Sequence, residues 1–317
     1  MSDILLSHEV SINIFIDLII FLLLLIAFYH AVYILKNYHK NSVTEYQYNL
    51  QKKSYLVASV IFFAFIVKIM VLVFFTYTLE QLSAIVPGAM CGVGVIESNG
   101  YGYGVLALKI VIAMLMMMWI PLHNQDQKGK NHPFFKHKLY LFGVIFILIC
   151  FELLLEILFF TNISTQTPVL CCSSIYKASK SSNLLPFGLS TMQIAILFYL
   201  LYISVVSFCY FKKRVLLFVS SLFYTYISYY TIVYFFSSYI YELPTHKCPF
   251  CMLQRDYYYI GYFIFGCLFV ATFYALSSSI YRFENKDFYK SILFYTIFVA
   301  LCSVNFIYYT LSHGVFL

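Results

Sequence analysis

Charge is what this sequence has least of. Asp, Glu, Lys and Arg make up 10% of its 317 residues, against about a quarter in soluble domains, which excludes an ordinary solvated globular surface. No DNA-binding motif accompanies the net charge of +7. That charge sits mainly in alternate loops and reports orientation in a membrane, not nucleic-acid binding. Met1 to Ser11 contains no Lys or Arg, and the apolar run that follows is longer than the core of a signal peptide, so the first span is expected to stay in the mature protein.

What is abundant is apolar. With 62% hydrophobic residues and a mean hydropathy of +0.84, the chain reads as an all-α, polytopic membrane protein. The 31 Tyr and 34 Phe fit interfacial belts, or a compositional bias of the source genome. Runs of roughly 20 apolar residues mark eight spans, at about 12–35, 55–78, 104–122, 139–161, 190–211, 215–240, 257–281 and 291–312. Short connections leave no separate soluble domain, so residues 1–317 read as one integral membrane domain.

Cations follow the odd-numbered spans: Lys36, Lys40, Lys52 and Lys53; Lys128, Lys130, Lys136 and Lys138; Lys212, Lys213 and Arg214; Arg282, Lys286 and Lys290. The positive-inside rule places these loops in the cytoplasm. Loops 79–103, 162–189 and 241–256 are poorer in cations and, with both termini, are placed outside, although Lys177, Lys180, Lys247 and Arg255 weaken the contrast. This topology puts Cys91, Cys171, Cys172, Cys248 and Cys251 on the outer face, where disulfides form and thiols exchange. Cys150, Cys209, Cys267 and Cys302 fall within spans and read as small buried hydrophobes.

Four ionisable residues fall deep within spans, where charge is expensive and marks a pair, a pathway or a site. They are Lys68, Lys109, Glu152 and Glu156; Asp17 and His30 lie nearer the ends of the first span and carry less weight. At about 1.5 Å per residue, Lys68 matches Glu152 in depth and Lys109 matches Glu156. Glu152 and Glu156 are four apart and share a helix face, so two Lys–Glu pairs are expected. Such pairs either lock three helices together or line a proton-conducting pocket open to the outer face, where a quinone head group or a metal ion binds.

Cys248-Pro249-Phe250-Cys251 can be a redox dithiol, half of a metal site or a structural disulfide. Cys251 stands just before the seventh span, whose helix N-terminus would stabilise a thiolate, with Lys247 and Arg255 acting in the same direction. Pro249 stiffens the turn, and no β-α-β unit surrounds the tetrapeptide. Extended to Cys248-Pro-Phe-Cys251-Met-Leu-Gln254-Arg255 at the outer mouth of a helical hairpin, the stretch resembles the DsbB family of bacterial thiol-quinone oxidoreductases. That resemblance implies that Cys248 and Cys251 are the quinone-proximal redox pair, and that Arg255, oriented by Gln254, polarises a quinone oxygen. It also implies a bacterial inner membrane and an extracytoplasmic thioredoxin-like partner. It covers Cys248 to Arg255, and the family's compact four-helix core has no counterpart to the five spans before the motif hairpin.

Cys171 and Cys172 are adjacent and can close only a strained eight-membered ring. They read as a shuttle dithiol or a soft-metal clamp, or else one of them bridges to Cys91 or to the Cys248/Cys251 loop. Cys91 lies in a glycine-rich outer loop whose GVGVIESNG segment is no phosphate loop, since no strand precedes it. His246 with Cys248 and Cys251, joined by Cys171, Cys172 and Cys91, would suit Cu(I) or Zn(II). Met114, Met116, Met117 and Met118 read as packing, and Trp119 with Tyr257, Tyr258 and Tyr259 as interfacial anchors. The expected function is thiol-disulfide exchange between extracytoplasmic thiols and a quinone, with Glu152 or Glu156 handling protons. The alternatives are copper or zinc handling and a non-catalytic subunit braced by disulfides.

Overall fold

A computed structural model describes residues 4–38, 44–128, 134–169, 185–244, 246–281 and 286–314. Cys171, Cys172, Lys177 and Lys180 lie outside these. The described residues are helical, without strands, and eight of their helices are long and apolar enough to cross a membrane. The protein is an all-α, multi-pass membrane protein.

The chain divides into two compact units, Met1–Val169 and Leu170–Leu317. The first holds α1 (His8–Asn37), α2 (Glu45–Leu82), the short α3 (Gly92–Ile96), α4 (Gly102–Lys128) and α5 (Phe135–Thr161). Its four long helices form a ring, α1 against α2 and α5, and α4 against the same two. Phe65, Phe142, Met116, Ile61 and Ile145 pack in its core, so Met116 does serve packing.

Several sequence expectations change here. The α2 helix starts ten residues before its apolar run, at Glu45, because Thr44 accepts the Gln47 N–H at 3.3 Å and opens the helix with an N-cap. Its 38 residues rise about 57 Å, well beyond the roughly 30 Å of hydrocarbon, so its polar first turns extend past the apolar layer. Trp119 is not an interfacial anchor: it is fully buried, stacks on His123 and donates its indole N–H to the Lys138 carbonyl at 2.8 Å. Lys138 is no loop cation but a buried residue of α5, paired with Asp126 of α4.

The second unit holds α6 (Thr191–Tyr210), α7 (Arg214–Ile240), α8 (Ile260–Ile280) and α9 (Lys286–His313). They also form a ring, with α7 between α6 and α8 and α9 between α8 and α6. Ser190 and Gln193 make a reciprocal capping box that fixes the start of α6. Near its end α7 carries a π-helical segment, Ile232–Phe236. One inserted residue of this kind turns the following side chains about the helix axis, and those that follow are Ser237 and Tyr241, which hold the next loop.

Candidate functional site

The loop after α7 carries Cys248 and Cys251, and its shape is set by contacts back to the helix. Glu242, at φ 55°, puts a left-handed residue after the helix, and the Leu243 N–H closes on the Ser238 carbonyl at 3.1 Å. This is the hydrogen bond by which a left-handed cap ends a helix. The Ser237 hydroxyl, which donates to the Val233 carbonyl at 2.6 Å, stands 3.3 Å from the His246 carbonyl, and the Tyr241 phenol donates to the Cys248 carbonyl. The Tyr241 ring also lies edge-on to His246 and Tyr257, at 4.4 and 4.6 Å between centroids.

Both cysteines are buried, at 4 and 5% exposure, and their Sγ atoms lie within 4.8 Å of each other. Cys251 opens a 3-10 turn, Cys251–Leu253, in which the Gln254 N–H reaches the Cys251 carbonyl at 3.0 Å. A second 3-10 turn, Arg255–Tyr257, follows, and then Tyr258 and Tyr259, both left-handed at φ 54° and 56°. A non-glycine residue in that region costs roughly 1–2 kcal/mol, so the loop holds its path into α8 against backbone strain.

The first turn of α8 makes room for the loop at Gly261. A Cβ there would stand 2.5 Å from Cγ of Met252, 2.8 Å from Cδ2 of Leu253 and 2.9 Å from the Met252 carbonyl oxygen. The turn that follows Cys251 thus packs directly on the helix. The expected stabilisation of a Cys251 thiolate by the helix N-terminus is corrected, however. The helix begins at Ile260, with both 3-10 turns between it and Cys251, and dipole effects fade within one turn.

The surroundings of the two sulfurs are largely aromatic and neutral. Burial first, then the neighbouring Cys251 and Cys248, push the Tyr241 phenol well above its ordinary value, so it stays a neutral donor. Burial and Cys251 raise Tyr257 as well. Lys247 directs its ammonium over the Tyr234 ring at 5.3 Å, and Arg255 is exposed. Gln254 sits at the junction of the two turns, its carbonyl accepting from Tyr257 and Tyr259 at 3.2 and 3.1 Å. His246 is half-buried and its Nε2 has no hydrogen-bond partner among the described residues. Among the described residues, no three ligand atoms within 4.8 Å of one another combine His246 with both sulfurs.

In the first unit, Cys91 is buried at the N-cap of α3. The Glu80 carboxylate accepts the Gly92 N–H at 3.0 Å, so that helix start is already served by an internal anion.

The same unit gathers the intramembrane charges that the spacing singled out, and more. Lys68 of α2 bridges Glu152 at 2.7 Å and Lys109 of α4 bridges Glu156 at 2.9 Å, as expected from their depths. The two pairs are one network: Lys109 also binds Glu152, and both lysines bind Asp17 of α1, at 2.6 Å from Lys68 and 3.0 Å from Lys109. Asn13 donates its amide to Glu156. All six residues are buried. Asn13 and Asp17 are four apart and share a face of α1, the same spacing that aligns Glu152 with Glu156. Asp17 lies deeper in its helix than the apolar run suggests, because α1 begins at His8, four residues before that run. Beside the two ammonium groups is a cavity of about 10 Å³, lined by Lys68, Leu72, Lys109, Ile112 and Ala113. That is room for a water molecule, not for a quinone ring.

Comparison with protein-family models, with curated proteins and with solved structures finds no match for this chain.

Proposed function

We propose that the protein is a thiol-disulfide oxidoreductase of the bacterial inner membrane that exchanges electrons between extracytoplasmic thiols and a quinone, using Cys248 and Cys251. The observation that carries this reading is the approach of the two sulfurs to within 4.8 Å in a loop anchored to α7 and packed on α8. Modest rotations close that distance to a disulfide, and the loop holds both cysteines on one short stretch of chain. The unit that carries the pair has four long helices, the helix number of the compact core in the thiol-quinone family that the motif resembles.

In the oxidising direction, a thiolate of a thioredoxin-like partner attacks one sulfur of the Cys248–Cys251 disulfide. An S–S bond forms between the proteins and the other cysteine leaves as a thiolate. The partner's second thiol resolves this mixed disulfide, so the partner is oxidised and Cys248 and Cys251 hold two electrons as thiols. Those two electrons, with two protons, pass to a quinone, which becomes hydroquinone, and the disulfide is restored. Arg255, exposed and permanently charged, supplies donors for a quinone oxygen as it gains charge, and Gln254 sets where it stands. Run in reverse, the same parts deliver reductant outward. The relative potentials of partner and quinone set the direction.

The test is trapping. With one cysteine left, its thiolate attacks the disulfide of an oxidised partner and no neighbouring cysteine is present to release the mixed disulfide, so Cys248→Ala or Cys251→Ala is expected to accumulate a covalent, reductant-sensitive adduct with an oxidised extracytoplasmic thioredoxin-like protein. Purified protein that binds no quinone, has no redox-active thiols and carries stoichiometric copper or zinc sinks the proposal in favour of metal handling.

A further inference from the structure

The buried network of the first unit has an unequal charge count. Asp17, Glu152 and Glu156 are three carboxylates; Lys68 and Lys109 are two ammonium groups. Fully ionised, the set carries three negative charges and two positive ones, a net charge of minus one. The set is no more than 6% exposed at any member. An uncompensated charge in such a place is strongly disfavoured, and the simplest compensation is a proton.

Geometry identifies the carboxylate that takes it. Asp17 meets both lysines and so does Glu152. Glu156 meets Lys109 through Oε2, and its Oε1 faces Asn13. Glu156 is therefore the acid with the least compensation for its charge. The groups that face it are Asn13 and Asp17 from α1, Lys68 from α2, Lys109 from α4, and Glu152 on its own helix.

The Asn13 amide can serve either protonation state of Glu156. It is fully buried, and while its Nδ2 serves Glu156, its Oδ1 has no hydrogen-bond partner among the described residues. A primary amide can present either end to the same neighbour. Its N–H serves an ionised Glu156; turned over, its Oδ1 accepts the O–H of a protonated one. The water-sized cavity against both lysines gives the network a place for a mobile donor and acceptor. A metal ion has no such place. Lys109 Nζ already bonds to all three carboxylates and fills the centre they surround.

We propose that Asn13, Asp17, Lys68, Lys109, Glu152 and Glu156 form an intramembrane proton-binding site in which Glu156 carries one exchangeable proton at neutral pH. This site stands independently of the thiol chemistry of the second unit. Infrared spectroscopy of the purified protein tests it. Wild type is expected to show one protonated-carboxyl C=O band that shifts in D₂O and fades as pH rises. Glu156→Gln, isosteric with the protonated acid, is expected to remove the band. Glu152→Gln, which balances the charge at two against two, is expected to remove it at neutral pH as well. Should Glu156→Gln fail to fold, Asn13→Leu decides: loss of the acceptor moves the band to higher frequency. A wild-type spectrum without the band, a band unchanged in Glu156→Gln or Asn13→Leu, a band that never exchanges in D₂O, or sodium-dependent stabilisation in place of the band would each overturn the proposal.

Discussion

The phenol of Tyr241 donates its proton to the backbone carbonyl of Cys248, tying the first cysteine of the pair to the residue that ends α7. Tyr241 is 5% exposed, so the bond is made where water does not compete. It fixes one sulfur while the packing of Met252 and Leu253 on Gly261 fixes the turn that carries the other. The relative position of the two sulfurs thus depends on a side chain seven residues before the motif and a glycine ten residues after it.

Tyr241→Phe removes the donor and leaves a buried acceptor unserved, which costs roughly 1–3 kcal/mol. Thermal unfolding of the detergent-solubilised variant is expected to show that loss, with slower reaction of the Cys248/Cys251 pair toward dithiols. The same substitution has a pH signature. The phenol's value is raised in the folded state, so its stabilisation is complete below the ordinary tyrosine range and declines as pH rises through about 10. The stability difference between wild type and Tyr241→Phe is therefore expected to shrink in alkali; a difference that grows with pH contradicts the assigned donor.

Gly261→Ala drives a methyl group into Met252 and Leu253. Overpacking of this kind costs about 1–3 kcal/mol. The Met252 carbonyl is backbone and cannot rotate aside, so the turn after Cys251 is expected to move. The measurable outcome is an altered Cys248–Cys251 redox potential together with reduced stability. Gly266→Ala is the control, since a Cβ there meets nothing within 4 Å among the described residues.

Lys109→Met leaves Asp17, Glu152 and Glu156 facing a single ammonium group. Breaking a buried ionic network on one side costs about 3–5 kcal/mol, so the variant is expected to unfold at markedly lower temperature or denaturant. Combining it with Glu152→Gln removes one charge of each sign, leaving ionised Asp17 against Lys68 beside protonated Glu156, and is expected to recover much of the loss. Equal stabilities for the single and double variants would show that the two side chains are not coupled.

Arg255→Gln is expected to lower quinone-linked thiol oxidation while leaving dithiol exchange at Cys248/Cys251 intact, because Arg255 is exposed and its proposed work is on the quinone alone. Arg255→Lys keeps the charge but not the planar fork, so it is expected to fall between. Stopped-flow reduction of a soluble quinone analogue, compared with reaction toward a dithiol, separates the two steps.

Much of the fold was legible because hydropathy alone marks a helix long enough to cross a membrane, and each of the eight runs became a helix. The ends were less so. The polar first turns of α2 carry no apolar signal, and their start is set by the Thr44 cap. Lys68, Lys109, Glu152 and Glu156 stood out because charge is rare in such runs, and helical rise matched their depths. Asp17 lies deeper than its place in the apolar run suggests because the helix starts earlier, and Asn13 carries no charge to mark it, although the four-residue spacing between them is visible. Trp119 and Lys138 misled for the converse reason: a residue near a span end can face solvent or core, and only packing decides. Nothing in the local sequence marks Tyr241 as the anchor of Cys248 or Gly261 as the seat of Met252, since both relations arise from how the loop folds back.

The central claim is that Cys248 and Cys251 cycle between dithiol and disulfide. Its most direct test is differential thiol labelling with mass spectrometry of Cys91, Cys171, Cys172, Cys248 and Cys251 in native membranes, before and after adding a dithiol and then a quinone. The account predicts a Cys248–Cys251 disulfide that opens with the dithiol and reforms with the quinone. Two sulfurs that keep one oxidation state throughout, or that are held by stoichiometric zinc or copper, would contradict it.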